Sequence, residues 1–151
     1  MATILVQEDG SGDAYTTLTA AVSNAGAADT IEISETWSAP EETNITISDA
    51  GLIIQAVGAS KVTTAGHYSG SPTHYRIEDN SGGHVFTTSA ACTITGLDIK
   101  QTGSGGSDEC VRWGAATTLN ECILSCARGA VDQDGCYAGG AYLLTLFCKI
   151  Y

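Results

Sequence analysis

Short alternating apolar pairs return along this chain at nearly constant intervals, and that recurrence restricts the fold more than any other feature. The pairs are Ile31/Ile33, Leu52/Ile54, Tyr75/Ile77, Leu97/Ile99, Cys122/Leu124 and Cys148/Ile150, and their second members follow one another at steps of 21, 23, 22, 25 and 26. Each pair has the period of two that marks a strand burying one face. Two further ladders keep similar steps: Val62, Val85, Val111 and Tyr137 at 23, 26 and 26, and Ile94, Leu119 and Leu144 at 25 and 25. Glycine-rich and polar runs such as "DNSGG", "QTGSGGS" and "DQDGCYAGG" separate the copies, as turns would.

Equivalent strands spaced this way, with no helical pattern between them, do not fit βαβ units and are too regular for a sandwich. A chain that coils back above itself fits. The expected fold is all-β: a single-stranded right-handed parallel β-helix of about five to six coils, each stacked about 4.8 Å above the last. Equivalent residues of successive coils then form columns. Cys110 and Cys136 are expected to share one column, and Cys122 and Cys148, separated by the same step, another. Cysteine suits such a column as a small buried hydrophobe. Parallel side-chain vectors disfavour disulfide geometry, so these thiols are expected to be reduced. Alternation in "GLDIK" points Leu97 and Ile99 inward and Asp98 outward, so a charge at Leu97 is expected to be costly and Asp98→Asn nearly neutral.

The first segment differs. In "TTLTAAVSNA" the residues Leu18, Ala21, Val22 and Ala25 have helical spacing, with Thr17 as N-cap and Gly26 as stop. One amphipathic helix here would close the open bottom of the stack, whose end coil otherwise exposes core and unpaired backbone. The chain of 151 residues is read as one β-helix domain, with strand and capping helix in 1–29 and coils in 30–151.

The opening "ILVQEDGSGDAYTTLTAAVSNAGAADTIEI" resembles that of right-handed parallel β-helix proteins of the pectin-lyase-like group, in which a strand, a "DGSGD" turn and a capping helix lead into the first coil. Pectin methylesterases begin in a similar way, and phage tailspikes and virion proteins use the same coil; "ACTITGLDIKQTGS" also resembles phage β-helices. The family's esterases work with paired aspartates, an arginine and a Gly-x-x-Asp-Phe-Ile-Phe-Gly run. That run is absent here, and "GAVDQDG" matches it only superficially, so Asp132 and Arg128 inherit no role. The family's lyases use a Lys or Arg base beside Ca²⁺-binding carboxylates, whereas the six bases of this chain are scattered singly.

No catalytic, cofactor-binding or metal-binding residue is therefore assigned, and no cofactor is expected. Asp108 and Asp134, separated by the same step as the cysteines, would stack with Glu109 and Asp132 nearby, but turn aspartates explain them and a Ca²⁺ site needs about six to eight oxygens. The Cys122-x-x-x-Cys126 spacing has no histidine near it for zinc. His67, His74 and His84 lie in or beside turns and are read as loop or satisfied polar residues, and Trp37, Trp113, Tyr15 and Tyr68 as packing rather than sugar platforms.

Seventeen acidic against six basic side chains give a net charge of −11, which argues against nucleic acid and anionic membranes as partners. No secretion signal opens the sequence, and synthesis in a host cytoplasm is expected. The apolar "AYLLTLFCKIY" falls within a coil, which implies either a truncated longer β-helix or an end buried in an assembly. The expected function is that of a non-enzymatic structural protein of a phage virion (decoration, spike or fibre) assembling on a capsid or tail as a homo-oligomer, a trimer being favoured. The alternative is a glycan-binding or glycan-active β-helix of the lyase or esterase type.

Overall fold

Every strand ladder among the described residues is parallel, the arrangement that a chain winding in one sense produces. The computed structural model describes residues 1–35, 37, 42, 44–58, 75–103, 109–126, 136–138 and 144–150, with the backbone alone from 125 onward. The elements are β1 (Thr3–Val6), α1 (Leu18–Asn24), β2 (Thr30–Ile33), β3 (Ile45–Ile47), β4 (Leu52–Ala56), β5 (Arg76–Asp79), β6 (Phe86–Thr88), β7 (Cys92–Thr95), β8 (Asp98–Gln101), β9 (Val111–Trp113), β10 (Thr117–Cys126), β11 (Cys136–Ala138) and β12 (Leu144–Ile150).

The strands stack into three faces. The first holds β1, β2, β4, β7, the leading half of β10 and β12. The second holds β5, β8 and the trailing half of β10, and the third β3, β6, β9 and β11. From β4 onward the chain visits the faces in order, as β4, β5 and β6 do. The result is an all-β parallel solenoid of about four turns, with one third-face strand per turn and a single short helix among the described residues.

Inward residues form columns, of which the spacing implied the Ile77, Ile99 and Leu124 series and the step from Ile94 to Leu119. Ile31, Ile54, Ile94 and Leu119 stack on the first face, Ile77, Ile99 and Leu124 on the second, and Ile45, Phe86 and Val111 on the third; all are at most 1% exposed. Truncating one of these to alanine costs about 2–5 kcal/mol, because the stack cannot collapse around the hole.

The structure revises the sequence register in four places. Ile54 and Ile77 are not successive members of one column: both belong to one turn, Ile54 on its first face and Ile77 on its second. The column partner of Ile54 is instead Ile94, well beyond the expected step. The spacing alone counts this one long turn as two, which is why about four turns replace the expected five to six. Second, Ile31 rather than Ile33 pairs with Ile54, since Ile33 faces Ala56. Third, Phe86 rather than Val85 pairs with Val111, and Cys136 pairs with Val111 rather than standing over Cys110. Fourth, Leu119 pairs with Leu146, while Leu144 faces Thr117. The expected step does hold for Ile123↔Lys149 and Leu124↔Ile150, immediately after Cys122.

At the corner between the first two faces, β10 turns where β7 and β8 are separate strands. Gly96 has φ 78° there, and Glu121, at the equivalent place one coil later, has φ 53°. The Gly96 N–H donates to Asn120 O at 3.0 Å, so both corners share one left-handed turn. Glycine adopts it freely, whereas a glutamate bears a steric penalty.

Helix α1 begins as expected, with Thr17 accepting from the Ala20 N–H at 3.2 Å. It ends at Ala25, which caps it in extended conformation, one position before the expected Gly26. Leu18, Ala21 and Val22 point into the core, and the helix lies against β1 and β3 at the start of the stack. The "DGSGD" turn reverses the chain through Gly10 and Gly12, both at positive φ, and brings Tyr15 back to bridge Val6. Tyr15 N–H donates to Leu5 O at 2.8 Å, occupying part of the free edge of β1.

Candidate functional site

Several charged residues of the described solenoid sit where one coil meets the next. On the outward side of the second face, Arg76 and Glu78 of β5 stand against Asp98 and Lys100 of β8. Arg76 Nε lies 2.8 Å from Asp98 Oδ2, and Lys100 Nζ lies 3.5 Å from Glu78 Oε2. Alternation places Asp98 outward between Leu97 and Ile99, but it is only 3% exposed because Arg76 covers it. The outward direction is as expected, but the expectation that Asp98→Asn is nearly neutral is revised, since the substitution breaks a shielded ion pair.

A second constellation lies beside the third face. His84 precedes β6 and Glu109 precedes β9, and the step between them equals that from Phe86 to Val111. His84 Nδ1 approaches Glu109 Oε2 to 2.5 Å, and Arg112 Nη1 lies 3.5 Å from His84 Nε2. His84, directly after the bends at 81–83, is thus a buried polar residue beside a turn, and it joins neighbouring coils. Neither Nδ1 nor Oε2 makes an aligned hydrogen bond. The His84 N–H donates to Asn44 Oδ1 at 3.3 Å, which ties a third coil to the cluster. Chemically the trio places a carboxylate, an imidazole and a guanidinium together, but Arg112 stands at the ring nitrogen that a general base would present to a substrate.

Inside the stack runs a polar column. Asp79 and Gln101 are partners in adjacent coils and both are fully buried. The Glu42 N–H donates to Glu78 O at 3.2 Å, which sets Glu42 one coil earlier in this column. Its carboxylate accepts from the Leu18 N–H at 2.6 Å and from the Thr19 N–H at 2.5 Å, a charged cap on α1. Gln101 bridges a corner by donating to Gly83 O and accepting the Gly103 N–H at 2.6 Å. Asp79 Oδ1 accepts from Ser81 N–H and Oγ–H at 2.7 and 2.6 Å, while Oδ2 has no hydrogen bond among the described residues.

Cys92, Cys110 and Cys122 are buried thiols, and those of Cys110 and Cys122 donate to Ile99 O at 3.4 Å and Ile94 O at 3.6 Å. Burial pushes the Cys92 thiol up to about 11, opposed by a hydrogen bond from Thr117. Trp37 is wholly buried, with Nε1 donating to Thr16 O at 3.0 Å, and Trp113 is 7% exposed, so both are packing residues as expected. Asp108, Asp132, Asp134, Arg128, His67, His74 and Tyr68 lie outside the described residues. Among the described residues no group of three His, Cys, Asp or Glu side chains converges as a metal set, and no helix is long and apolar enough to cross a membrane.

Sequence reasoning misses Arg76–Asp98, His84–Glu109 and Glu42. The signal for the first two is the same repeat that reveals the apolar ladders, since complementary charges stand one ladder step apart in each pair. Glu42 has no such signal, because its partners are backbone groups. No family model matches the chain, and neither a curated protein nor a solved structure was found to be similar to it.

Proposed function

We propose that this protein is a non-enzymatic structural solenoid, a virion component of the phage β-helix type that assembles as a homo-oligomer on a protein lattice. The observation that carries the reading is the commitment of charge on the stacked faces: Arg76, Asp98, Lys100, Glu78, His84, Glu109 and Glu42 each contact a neighbouring coil or the cap. Groups engaged in coil stacking maintain a rigid shape and leave little free for turnover. The resemblance of the opening strand, turn and helix to pectin-lyase-like proteins of phages supports the same reading. The net charge of −11 keeps an unassembled subunit soluble and away from nucleic acid.

The experiment pairs light scattering on a sizing column with an assay for product release from acidic polysaccharides. A discrete oligomer, with a trimer favoured, and no released product are expected. Product formation that His84→Ala abolishes would overturn the structural reading in favour of a glycan-active β-helix, with Glu109, His84 and Arg112 as its working trio.

A further inference from the structure

The first and second faces differ sharply in charge, and among the described residues the third carries a single outward charge, Arg112, beside Thr46 and Thr87. Before β10, the outward positions of the second face are Arg76, Glu78, Asp98 and Lys100, all ionic. The first face is the opposite. One of its outward columns holds Thr3, Thr30, Ile53, Thr93 and Thr118 at successive coils. The other holds Leu5, Glu32, Gln55, Thr95 and Asn120. Glu32 is the one charge among these, and its Oε1 accepts a hydrogen bond from Gln55 Nε2 at 3.1 Å. The face is also the tallest, because it gains a strand at every coil from β1 to β12. Five steps of about 4.8 Å make it about 24 Å high.

Resting on the assembly reading above, we propose that this first face is the surface through which one copy of the chain binds a second copy. Two molecules that each carry a net charge of −11 repel one another over most of their surfaces. They approach at least cost through a face nearly free of fixed charge, and depletion of charge is the compositional mark of an interface centre. A basic partner would be drawn to the acidic remainder of the molecule instead, and a nucleic acid would need a basic stripe. Threonine and isoleucine at outward strand positions present stiff, branched surfaces, and two such sheets pack face to face at about 10 Å.

The test uses the full chain, with solution mass measured by sedimentation across a range of protein concentrations. Thr93→Lys and Thr118→Glu each place a charge in the centre of the face, and Thr46→Glu places one on an exposed outward position of the third face. Circular dichroism checks that each variant keeps its strands, and Gln55→Lys serves as a further variant in the neighbouring column. The expected result is an oligomeric wild type and Thr46→Glu, with monomers for the variants of the first face. An oligomer that persists in all first-face variants would overturn this inference and leave the assembly reading standing. A wild type that is monomeric at every concentration would overturn both.

Discussion

Arg76 and Asp98 are direct partners in adjacent coils, and the guanidinium that covers Asp98 leaves its side chain 5% exposed while itself remaining 30% exposed. This asymmetry decides which partner matters. Arg76→Ala removes a charge-assisted hydrogen bond together with the side chain that shields it, while opening Asp98 to water, and is expected to destabilise by about 1.5–3 kcal/mol. Lys100→Ala, breaking a 3.5 Å pair whose partners are each about one-third exposed, is expected to cost under about 1 kcal/mol. Urea unfolding of the two variants measures the difference, and equal losses would contradict the burial argument.

Glu42 joins coil to cap. Glu42→Ala leaves the Leu18 and Thr19 N–H groups without their charged acceptor and is expected to cost about 2–3 kcal/mol. Hydrogen exchange localises the loss: the amides of Leu18 and Thr19 should lose protection first, ahead of those in β7 and β8.

The shared left-handed corner makes a paired expectation. Gly96→Ala forces a side chain into φ 78° and should destabilise by about 1–2 kcal/mol. Glu121→Gly relieves the same strain at φ 53°, offset by the larger unfolded-state entropy of glycine and by the glutamate contacts it gives up, and should change stability by less than Gly96→Ala does. A thermal midpoint lowered clearly more by Gly96→Ala than by Glu121→Gly would support the shared corner.

The Asp29 carboxyl is held below the usual 3.8 by the Ala2 N–H first and the Gly26 N–H second. A depressed carboxyl contributes stability that is present above the ordinary value and is lost as pH falls through the folded one. Stability measured from pH 6 to pH 2 should therefore fall below about pH 4, and Asp29→Asn should flatten part of that acid limb.

Cys92, Cys110 and Cys122 should resist alkylation in the native protein and react once it is unfolded. Cys92, with its thiol pushed up to about 11, should stay unmodified at pH 8 even with excess iodoacetamide. Rapid native labelling of Cys92, read by peptide mass, would contradict its place in the first-face column beside Leu52 and Thr117.

The fold is legible because a solenoid writes its geometry into sequence spacing. The repeat places Ile77, Ile99 and Leu124 in their observed register, and helical spacing places Thr17, Leu18, Ala21 and Val22 in their observed helix. The departure at Ile54 has a physical cause. Spacing reports that a residue points inward, but not which of three inward faces it lines, and the step from Ile54 to Ile77 happens to equal a normal turn. The same limit explains Cys110: its neighbour Val111 is equally buried at the turn into β9, so alternation alone does not choose between them. The burial of Asp98 escapes the pattern because alternation gives direction and not exposure, and only the cross-coil neighbour Arg76 closes it off.

The claim on which the account depends is that one long turn carries Ile54 to Ile94 while Ile77 stacks on Ile99. Cross-strand nuclear Overhauser contacts between backbone protons of the isotope-labelled protein test it directly. The account expects contacts between Ile54 and Ile94 and between Ile77 and Ile99. A contact between Ile54 and Ile77, with none between Ile54 and Ile94, would contradict it.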